Sequence, residues 1–329
     1  TSSILTLEEL NNFTQKVQNV QCGLCGNHCQ MTVSVFQDGK RFITGNRCDR
    51  PITGKSNDDT LNLYAYKQQQ LSQLMKNPGT GTRGKIGIPM VLNMYELLPF
   101  WHAFFTSLGF QVIVSPFSNR KLYQAGQGSI PSDTVCFPAK LTHGHIMALL
   151  KKDVDAIFYP CMSYNVDEGL GDNHYNCPVV AYYPEVLAGN IRELEDTKFI
   201  YEYLNLEQRK DFVRLMPKIM QKYYPDLKTS DIHNAIEVAY TAYRKHMEDT
   251  RKEAERMMTE ARNEGKRIIV LAGRPYHVDP EVNHGIDKLI IQHGACVITE
   301  DSISNLVQKF DTSVLNQWSY HSRLYAAAK

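Results

Sequence analysis

Apolar and polar positions recur along the chain with two different periods, which together predict a mixed α/β protein. From Lys85 an apolar run, a longer apolar stretch at helical spacing and a second apolar run follow one another, with Gly109 before the second run. The same order of strand, polar loop, helix, glycine and strand returns over residues 267–299. Strand–helix–strand units of this kind build parallel sheets. The pattern therefore predicts two Rossmann-like parallel α/β lobes, which either a duplication or the common occurrence of such units would produce.

The sequence around these two units extends the prediction. The apolar runs at 155–160 and 178–183 predict further strands in the first lobe. Residues from about 193 to 266 have helical spacing and end in a long charged helix with an apolar stripe. We interpret the long helix as a brace.

The N-terminal part has a pattern of its own. A capping box at Thr6 and Glu9, followed by apolar residues at helical spacing as far as Val17, predicts one short helix. Two β-prone runs then flank Asp38-Gly39, a strong two-residue turn. This part is expected to be a small β-hairpin module.

These patterns divide the chain into five predicted parts. They are a cysteine-rich metal-binding module (1–55), a helical linker (56–84), a first α/β lobe (85–195), a helical segment (196–266) and the start of a second α/β lobe (267–329). The sequence begins without Met and stops inside a helical pattern. We therefore expect a piece of something larger, in which the second lobe is truncated.

Charge and composition narrow the range of partners. Thirty-six Lys and Arg residues against 35 Asp and Glu residues give a formal net charge of +1, without a long run of one sign. This balance does not favour nucleic acid or an anionic membrane surface, so small molecules and proteins are the expected partners. No apolar stretch approaches the roughly 18 residues that span a bilayer, and a signal-peptide pattern is missing. We therefore expect a cytoplasmic protein whose eight cysteines stay reduced.

Four cysteines near the start, Cys22, Cys25, Cys29 and Cys48, predict a metal site. A C-x2-C turn directs two sulfurs to one centre, and the predicted hairpin returns the last cysteine to the same end. A closed shell of four thiolates fits structural zinc and a [4Fe–4S] cluster equally by ligand type, so both stay open. His28 lies within the group and is interpreted as a solvated loop residue.

A second set of cysteines, Cys136, Cys161 and Cys177, is spread along the first lobe, and each lies beside a proline turn. Pro138 marks a helix start, which places Cys136 at a helix N-terminus, and Cys161 follows a strand. Ligands of open parallel sheets bind beyond the carboxyl ends of the strands. From the residues alone, the set fits either ligands in that crevice or small buried side chains. Cys296 is assigned to the core.

Other polar residues form two further groups. His143 and His145 point to different faces of a helix, so a joint metal site is not expected and each is assigned a surface or capping role. The loop 274–277, with His284 at the next helix start, fits either an anion site at a helix N-terminus or a plain polar loop. No glycine-rich phosphate-binding fingerprint accompanies it.

Five segments, in this order, resemble the acyl-CoA dehydratase activase-related family. They are CGLCGNHCQMTVSVFQDGKRFITGNRC, IGIPMVLNMYELLPFW, SDTVCFPAKLTHGH, FYPC and GRPYHVDPEVNHGIDKLI. In that family an ATPase-type activator segment is often followed by a region similar to the components of 2-hydroxyacyl-CoA dehydratase. This chain resembles only the latter region and lacks the phosphate-binding motifs of the activator segment.

The resemblance implies a cofactor and a class of reaction. Cys136, Cys161 and Cys177 match the three cysteines that hold an iron–sulfur cluster, such as [4Fe–4S], between α/β lobes in those components. Under this hypothesis an ATPase activator supplies low-potential electrons for the reductive dehydration of an acyl-CoA thioester, as in anaerobic metabolism. The N-terminal site would then hold Zn²⁺ or a second [4Fe–4S] cluster in a structural or electron-relay role.

Several hypotheses stay open beside this one. Related double-cubane proteins hold a larger iron–sulfur cluster in similar lobes and carry out ATP-driven reductions. A non-catalytic electron-transfer or scaffold module and a zinc protein without redox chemistry are the rivals from other classes. If the protein is an enzyme of the dehydratase type, Lys140, His143 and His277 are the candidate proton donors.

Overall fold

The computed structural model describes residues 6–24, 28–37, 39–46, 50–53 and 59–329. Over these residues the chain has a mixed α/β architecture with parallel sheets and many helices, as the periodicity predicts. No helix within this part of the chain has both the length and the apolar character needed to cross a membrane.

The N-terminal part is a three-stranded antiparallel sheet preceded by a short helix. Its elements are α1 (Leu7–Asn11), β1 (Gln15–Gln21), β2 (Gln30–Phe36) and β3 (Arg41–Thr44). The pairing of β2 with β3 confirms the predicted hairpin, and Asp38 of its turn lies outside the described residues. The predicted helix is wrong beyond Asn11, because the chain from Gln15 is extended and pairs with β2.

A four-stranded parallel sheet with helices around it follows. The elements are α2 (Arg50–Thr53), α3 (Leu63–Lys76), β4 (Lys85–Ile88), α4 (Met94–Ser107), β5 (Gln111–Val114), α5 (Arg120–Gly126), α6 (Phe137–Leu150), β6 (Ala156–Phe158), α7 (Pro178–Asn190) and β7 (Phe199–Ile200). The strand order is β5-β4-β6-β7. This confirms the predicted strand–helix–strand unit that begins at Lys85.

The run 178–183 was predicted to be a strand, and this prediction is wrong because the run forms the first half of α7. Pro178 suits the first helical turn, and the buried residues Val180, Tyr183 and Leu187 recur at helical spacing. The sheet is completed instead by β7, in the stretch predicted to be wholly helical.

A two-stranded parallel sheet lies in the C-terminal part. The elements are α8 (Arg209–Tyr223), α9 (Thr229–Asn263), β8 (Ile268–Leu271), α10 (Pro280–Asn283), α11 (Ile286–Gln292), β9 (Cys296–Thr299) and α12 (Ser319–Ala328). Strands β8 and β9 pair in parallel from Ile268 opposite Cys296 to Leu271 opposite Thr299. Cys296 is fully buried, which confirms its assignment to the core.

The long helix α9 contributes side chains to two apolar clusters. Ala239 and Tyr243 belong to the large core around the four-stranded sheet. Ala254 and Met257 pack in a second cluster with Cys296 of β9. A single helix therefore contacts the surroundings of both parallel sheets, which is a structural basis for the predicted brace.

Buried ion pairs connect helices that are distant in sequence. Arg323 of α12 pairs with Glu96 of α4 at 2.5 Å and with Glu168 at 2.9 Å, and its side chain is only 2% exposed. Lys67 of α3 pairs with Asp301 at 2.5 Å. Breaking a buried pair on one side leaves an uncompensated charge, so these contacts fix where α12 and α3 pack.

Candidate functional site

Three cysteines lie at the ends of strands or the starts of helices in the first parallel sheet. Cys136 and Cys177 are the N-cap residues of α6 and α7, each with a proline in the first turn and no side-chain capping bond. Cys161 follows β6, where its N–H donates to the Glu202 carbonyl at 3.1 Å. Cys136 is exposed, Cys177 is half-buried and Cys161 is buried. The predicted places of Cys136 and Cys161 in the fold are confirmed.

Two tyrosines, the buried Tyr159 and the half-buried Tyr276, are influenced electrostatically by the cysteines. Burial raises the pKa of Tyr159 well above its ordinary value, and negative charge on Cys161 and Cys136 adds to the effect. Burial also raises the pKa of Tyr276, and charge on Cys136 and Cys177 acts in the same direction. Each tyrosine therefore lies within electrostatic range of two cysteines, and Cys136 is common to both.

The Cys161 thiol is buried against α7. Burial raises its pKa to about 12, and a backbone hydrogen bond from Glu185 opposes the shift. Helix α7 thus supplies Cys177 at its start and contacts Cys161 two turns later. At neutral pH the Cys161 sulfur therefore keeps its proton.

The Tyr159 hydroxyl is a buried donor without a hydrogen-bond partner among the described residues. The side chain is 1% exposed, so water does not substitute for a partner at the surface. A buried polar group left unpaired costs about 1–3 kcal/mol. Because the ring lies close to Cys161 and Cys136, the hydroxyl is complementary to a ligand that brings hydrogen-bond acceptors to this neighbourhood.

His143 and His145 were assigned surface or capping roles, and this prediction is wrong because both side chains are fully buried in α6. The ring nitrogens of His143 lie 2.8 Å from the Ser129 hydroxyl and 3.0 Å from the Tyr183 hydroxyl. His145 contacts two serine hydroxyls, at 2.7 and 2.8 Å. Burial lowers the pKa of each histidine to about 4, so both are neutral at neutral pH.

The other two candidate proton donors are engaged with backbone groups. The Lys140 ammonium donates to the Asp133 carbonyl at 2.7 Å, in the loop before Cys136. Nδ1 of His277 accepts from the Arg274 N–H at 2.8 Å, and burial lowers the pKa of this histidine. Both side chains therefore hold loops that border the cysteine neighbourhood.

A cavity of about 300 Å³ opens beside Cys177, with Arg274 and His321 on its wall. Three aromatic side chains, from Tyr175, Trp318 and Tyr320, complete most of the lining. The sequence patterns single out neither Trp318 nor His321, because their partners are distant in the chain. Tyr159 was also missed, although its position between a buried strand and Pro160-Cys161 was a usable signal.

The N-terminal cysteines are described only in part. Cys25 and Cys48 lie outside the described residues, while Cys22 and Cys29 are buried at the end of the β1–β2 pair. The Cys22 N–H donates to the Cys29 carbonyl at 2.8 Å, which holds these two residues side by side. His28 is exposed, in agreement with its interpretation as a solvated loop residue. Within the described ranges, no group of three or more His, Cys, Asp or Glu side chains is arranged to hold a metal ion.

Comparison with known proteins gives one family. The family described as CoA enzyme activase uncharacterised domain (DUF2229) matches residues 85–303. The matched stretch runs from β4 past β9, so it contains both parallel sheets and the cysteines at 136, 161 and 177. Neither a curated protein nor a solved structure matches the chain.

Proposed function

Since this chain belongs to the CoA enzyme activase uncharacterised domain family, we propose that it is an iron–sulfur protein of the 2-hydroxyacyl-CoA dehydratase type. Cys136, Cys161 and Cys177 would hold the cluster, either [4Fe–4S] or a larger one. The cluster, when bound, supplies low-potential electron transfer to a CoA thioester, with electrons delivered by an ATP-driven activator. The corresponding enzyme class is a lyase or reductase.

The observation that carries this proposal is the placement of the three thiols at two helix starts and just after β6, together with the unpartnered Tyr159 hydroxyl. An iron–sulfur cluster binds each thiolate through a separate iron, so its ligands need not converge on one atom. Its sulfurs accept hydrogen bonds, which is what the buried hydroxyl lacks. Three protein thiolates would leave one iron of a [4Fe–4S] cluster without a protein ligand. A substrate oxygen would bind at that iron.

The surrounding residues have separate tasks in this proposal. Tyr159 donates a hydrogen bond into the site, and the burial of Cys161 excludes water. Tyr183 carries a hydroxyl whose pKa burial raises to about 12, with charge on Cys136 adding to it, and His143 holds that hydroxyl. His143 is thus a positioning residue for Tyr183, which is the better placed proton donor.

The finer architecture forms part of the same proposal. We place the site where two Rossmann-like lobes meet, because Pro138 of α6 and Tyr276 of the second part line one small cavity. The buried Tyr95 hydroxyl and Ser118 N–H both bond to the Asp279 carboxylate across this junction. The N-terminal cysteines Cys22, Cys25, Cys29 and Cys48 would form a separate zinc or [4Fe–4S] site.

The test is anaerobic purification and reconstitution, with iron, sulfide and zinc analysis and electron paramagnetic resonance. Cys136→Ala is compared with Cys296→Ala. The latter is a matched control, because the Cys296 thiol is buried among apolar side chains such as Ala254 and Met257. We expect Cys136→Ala to lower the iron content and alter the spectrum, and Cys296→Ala to keep both. Intact protein that takes up neither iron nor sulfide on reconstitution would refute the proposal.

A further inference from the structure

The cavity of about 300 Å³ beside Cys177 has the lining of a small-molecule site. Tyr175, Trp318 and Tyr320 supply aromatic walls, and Arg274 supplies a guanidinium. This volume lies at the lower end of the range for ligand pockets. The site therefore suits a compact molecule with an apolar body and a small polar group.

Arg274 brings positive charge into the cavity wall. Its side-chain contact is with Nε2 of His321, 3.2 Å from Nη2, and no carboxylate within the described part of the chain pairs with it. A guanidinium only donates, so Nε2 must accept, and the imidazole is neutral with its proton on Nδ1. Burial, followed by the charge of Arg274, lowers the pKa of His321 and keeps the ring in this form.

His321 adds a second donor beside the guanidinium. Nδ1 of His321 is buried and has no hydrogen-bond partner among the described residues. Cys177 and Trp318 are the N-cap residues of α7 and α12, and neither helix has a side-chain cap. The positive end of a helix dipole favours negative charge, although the Ser319 N–H at the start of α12 donates to the Tyr175 carbonyl at 3.0 Å and Pro178 at the start of α7 has no N–H. None of the lining residues is acidic, and Arg274 is the cationic side chain among them.

We propose that this cavity binds a compact carboxylate with a planar, apolar body, such as an aromatic or unsaturated acid. The carboxylate pairs with the Arg274 guanidinium, whose planar fork matches two carboxylate oxygens. The apolar body packs against the rings of Trp318 and Tyr175, which lie 6.2 Å apart between centroids and are tilted relative to each other. The inference goes beyond the cluster proposal, and the two share one residue, because Cys177 also lines the cavity.

The test is a titration of the full-length chain with benzoate, followed by tryptophan fluorescence and by calorimetry. Trp318 lies in the cavity wall and Trp101 is fully buried in the core, so a change in fluorescence reports mainly on Trp318. Benzamide is the uncharged counterpart, and inorganic phosphate is an anion without an apolar body. The titration is run before and after anaerobic iron–sulfide reconstitution, so ligand binding and cluster content are scored separately.

We expect saturable benzoate binding that Arg274→Gln weakens by at least about tenfold. Arg214→Gln is the matched control, because Arg214 is exposed on α8 and does not line the cavity. This replacement should leave benzoate binding unchanged. Benzamide and phosphate should each bind more weakly than benzoate. Equal affinity in Arg274→Gln, equal affinity for benzamide, or tighter binding of phosphate would overturn the proposal.

A second variant separates binding from folding. Trp318→Phe keeps an aromatic wall but removes the reporter, so calorimetry should still detect benzoate while the fluorescence change is lost. Thermal unfolding of Arg274→Gln and Arg274→Lys shows whether the fold is intact, and Arg274→Lys should bind with intermediate affinity. A fluorescence change that persists in Trp318→Phe would place the ligand elsewhere and contradict the inference.

Discussion

Nε2 of His143 lies 3.0 Å from the Tyr183 hydroxyl, and Nδ1 of the same ring lies 2.8 Å from the Ser129 hydroxyl. Both ring nitrogens are therefore occupied. Tyr183 in turn lies within electrostatic range of Cys136. Under the proposed function, His143 would therefore act through Tyr183 and not as a direct proton donor.

Acid is expected to destabilise the fold between about pH 6.5 and about pH 4. Burial lowers the folded-state pKa of His143 and His145 to about 4, so the unfolded chain binds more protons in this window. Stability therefore falls as the pH falls. For the fully buried His145 alone the loss is about 3 kcal/mol. Urea unfolding at about pH 7.5 and about pH 4.5 measures it.

The matched pair for this experiment is His145→Gln and His233→Gln. His233 is exposed on α9, so its replacement should keep the full acid dependence. His145→Gln removes a buried titrating group and should reduce the dependence. If the unfolding free energy of His145→Gln depended on pH as strongly as that of the parent, His145 would not be a source of the acid sensitivity.

Replacing Tyr159 by Phe should leave the stability of the metal-free chain unchanged or raise it slightly. The hydroxyl has no partner within the described residues, so no hydrogen bond is lost. Tyr64→Phe is the comparison, because the Tyr64 hydroxyl donates to the Leu271 carbonyl at 3.0 Å. Its loss should cost about 1 kcal/mol in urea unfolding. Equal destabilisation by both variants would show that Tyr159 has a partner after all.

Helices α5 and α6 pack so closely that Gly144→Ala is expected to destabilise the fold by about 2–3 kcal/mol. A Cβ atom at Gly144 would lie 2.1 Å from the Leu122 carbonyl oxygen, which is backbone and has little room to move. Gly128→Ala is the control, since nothing lies within 4 Å of its Cβ position. Chemical denaturation of the two variants should differ clearly, and similar midpoints would show that α5 moves away at little cost.

Arg323→Met should destabilise the protein by about 3–5 kcal/mol, because the Glu96 carboxylate would stay buried without its partner. The Tyr243 hydroxyl also donates to Glu96, at 3.2 Å, but supplies no charge. Adding Glu96→Gln to Arg323→Met should recover part of the loss. Thermal and urea unfolding measure the stability of both variants. If Arg323→Met alone were as stable as the parent, water would have to reach the Glu96 carboxylate.

Alkylation of the native, metal-free protein should distinguish the sulfurs. Cys136 is exposed and should react readily with iodoacetamide at about pH 8. Burial raises the pKa of Cys161 to about 12, so this thiol should stay unmodified until the protein unfolds. Peptide mass spectrometry reads each site, and labelling of Cys161 as fast as Cys136 would be the contrary result. Reconstitution with iron and sulfide should protect Cys136.

Much of the parallel framework follows from the sequence, because strands such as β4 and β5 are buried apolar runs bounded by glycine and polar loops. Helix α7 was missed because Val and Tyr favour strands locally, whereas burial along one helical face decides the outcome. The signal was present in Cys177-Pro178, which repeats the helix start found after Cys136. In the folded chain, burial along one face of α7 outweighs the strand propensity of these residues.

The candidate site divides in the same way. Helix and strand signals place Cys136 and Cys161 correctly, since each depends on its own neighbours in sequence. The cavity beside Cys177 brings together Tyr175, Arg274 and Trp318, which lie far apart along the chain. No local pattern predicts such a meeting, because it depends on how α7 and α12 pack.

The span of α9 has a consequence for how the fold is lost. Its first half fills the core around the four-stranded sheet through Ala239 and Tyr243, and its second half fills the cluster beneath β9 through Ala254 and Met257. Unwinding either half would strip apolar surface from a neighbour and weaken the helix that the other half needs. The two apolar clusters are therefore coupled through α9, so the loss of one is expected to weaken the other.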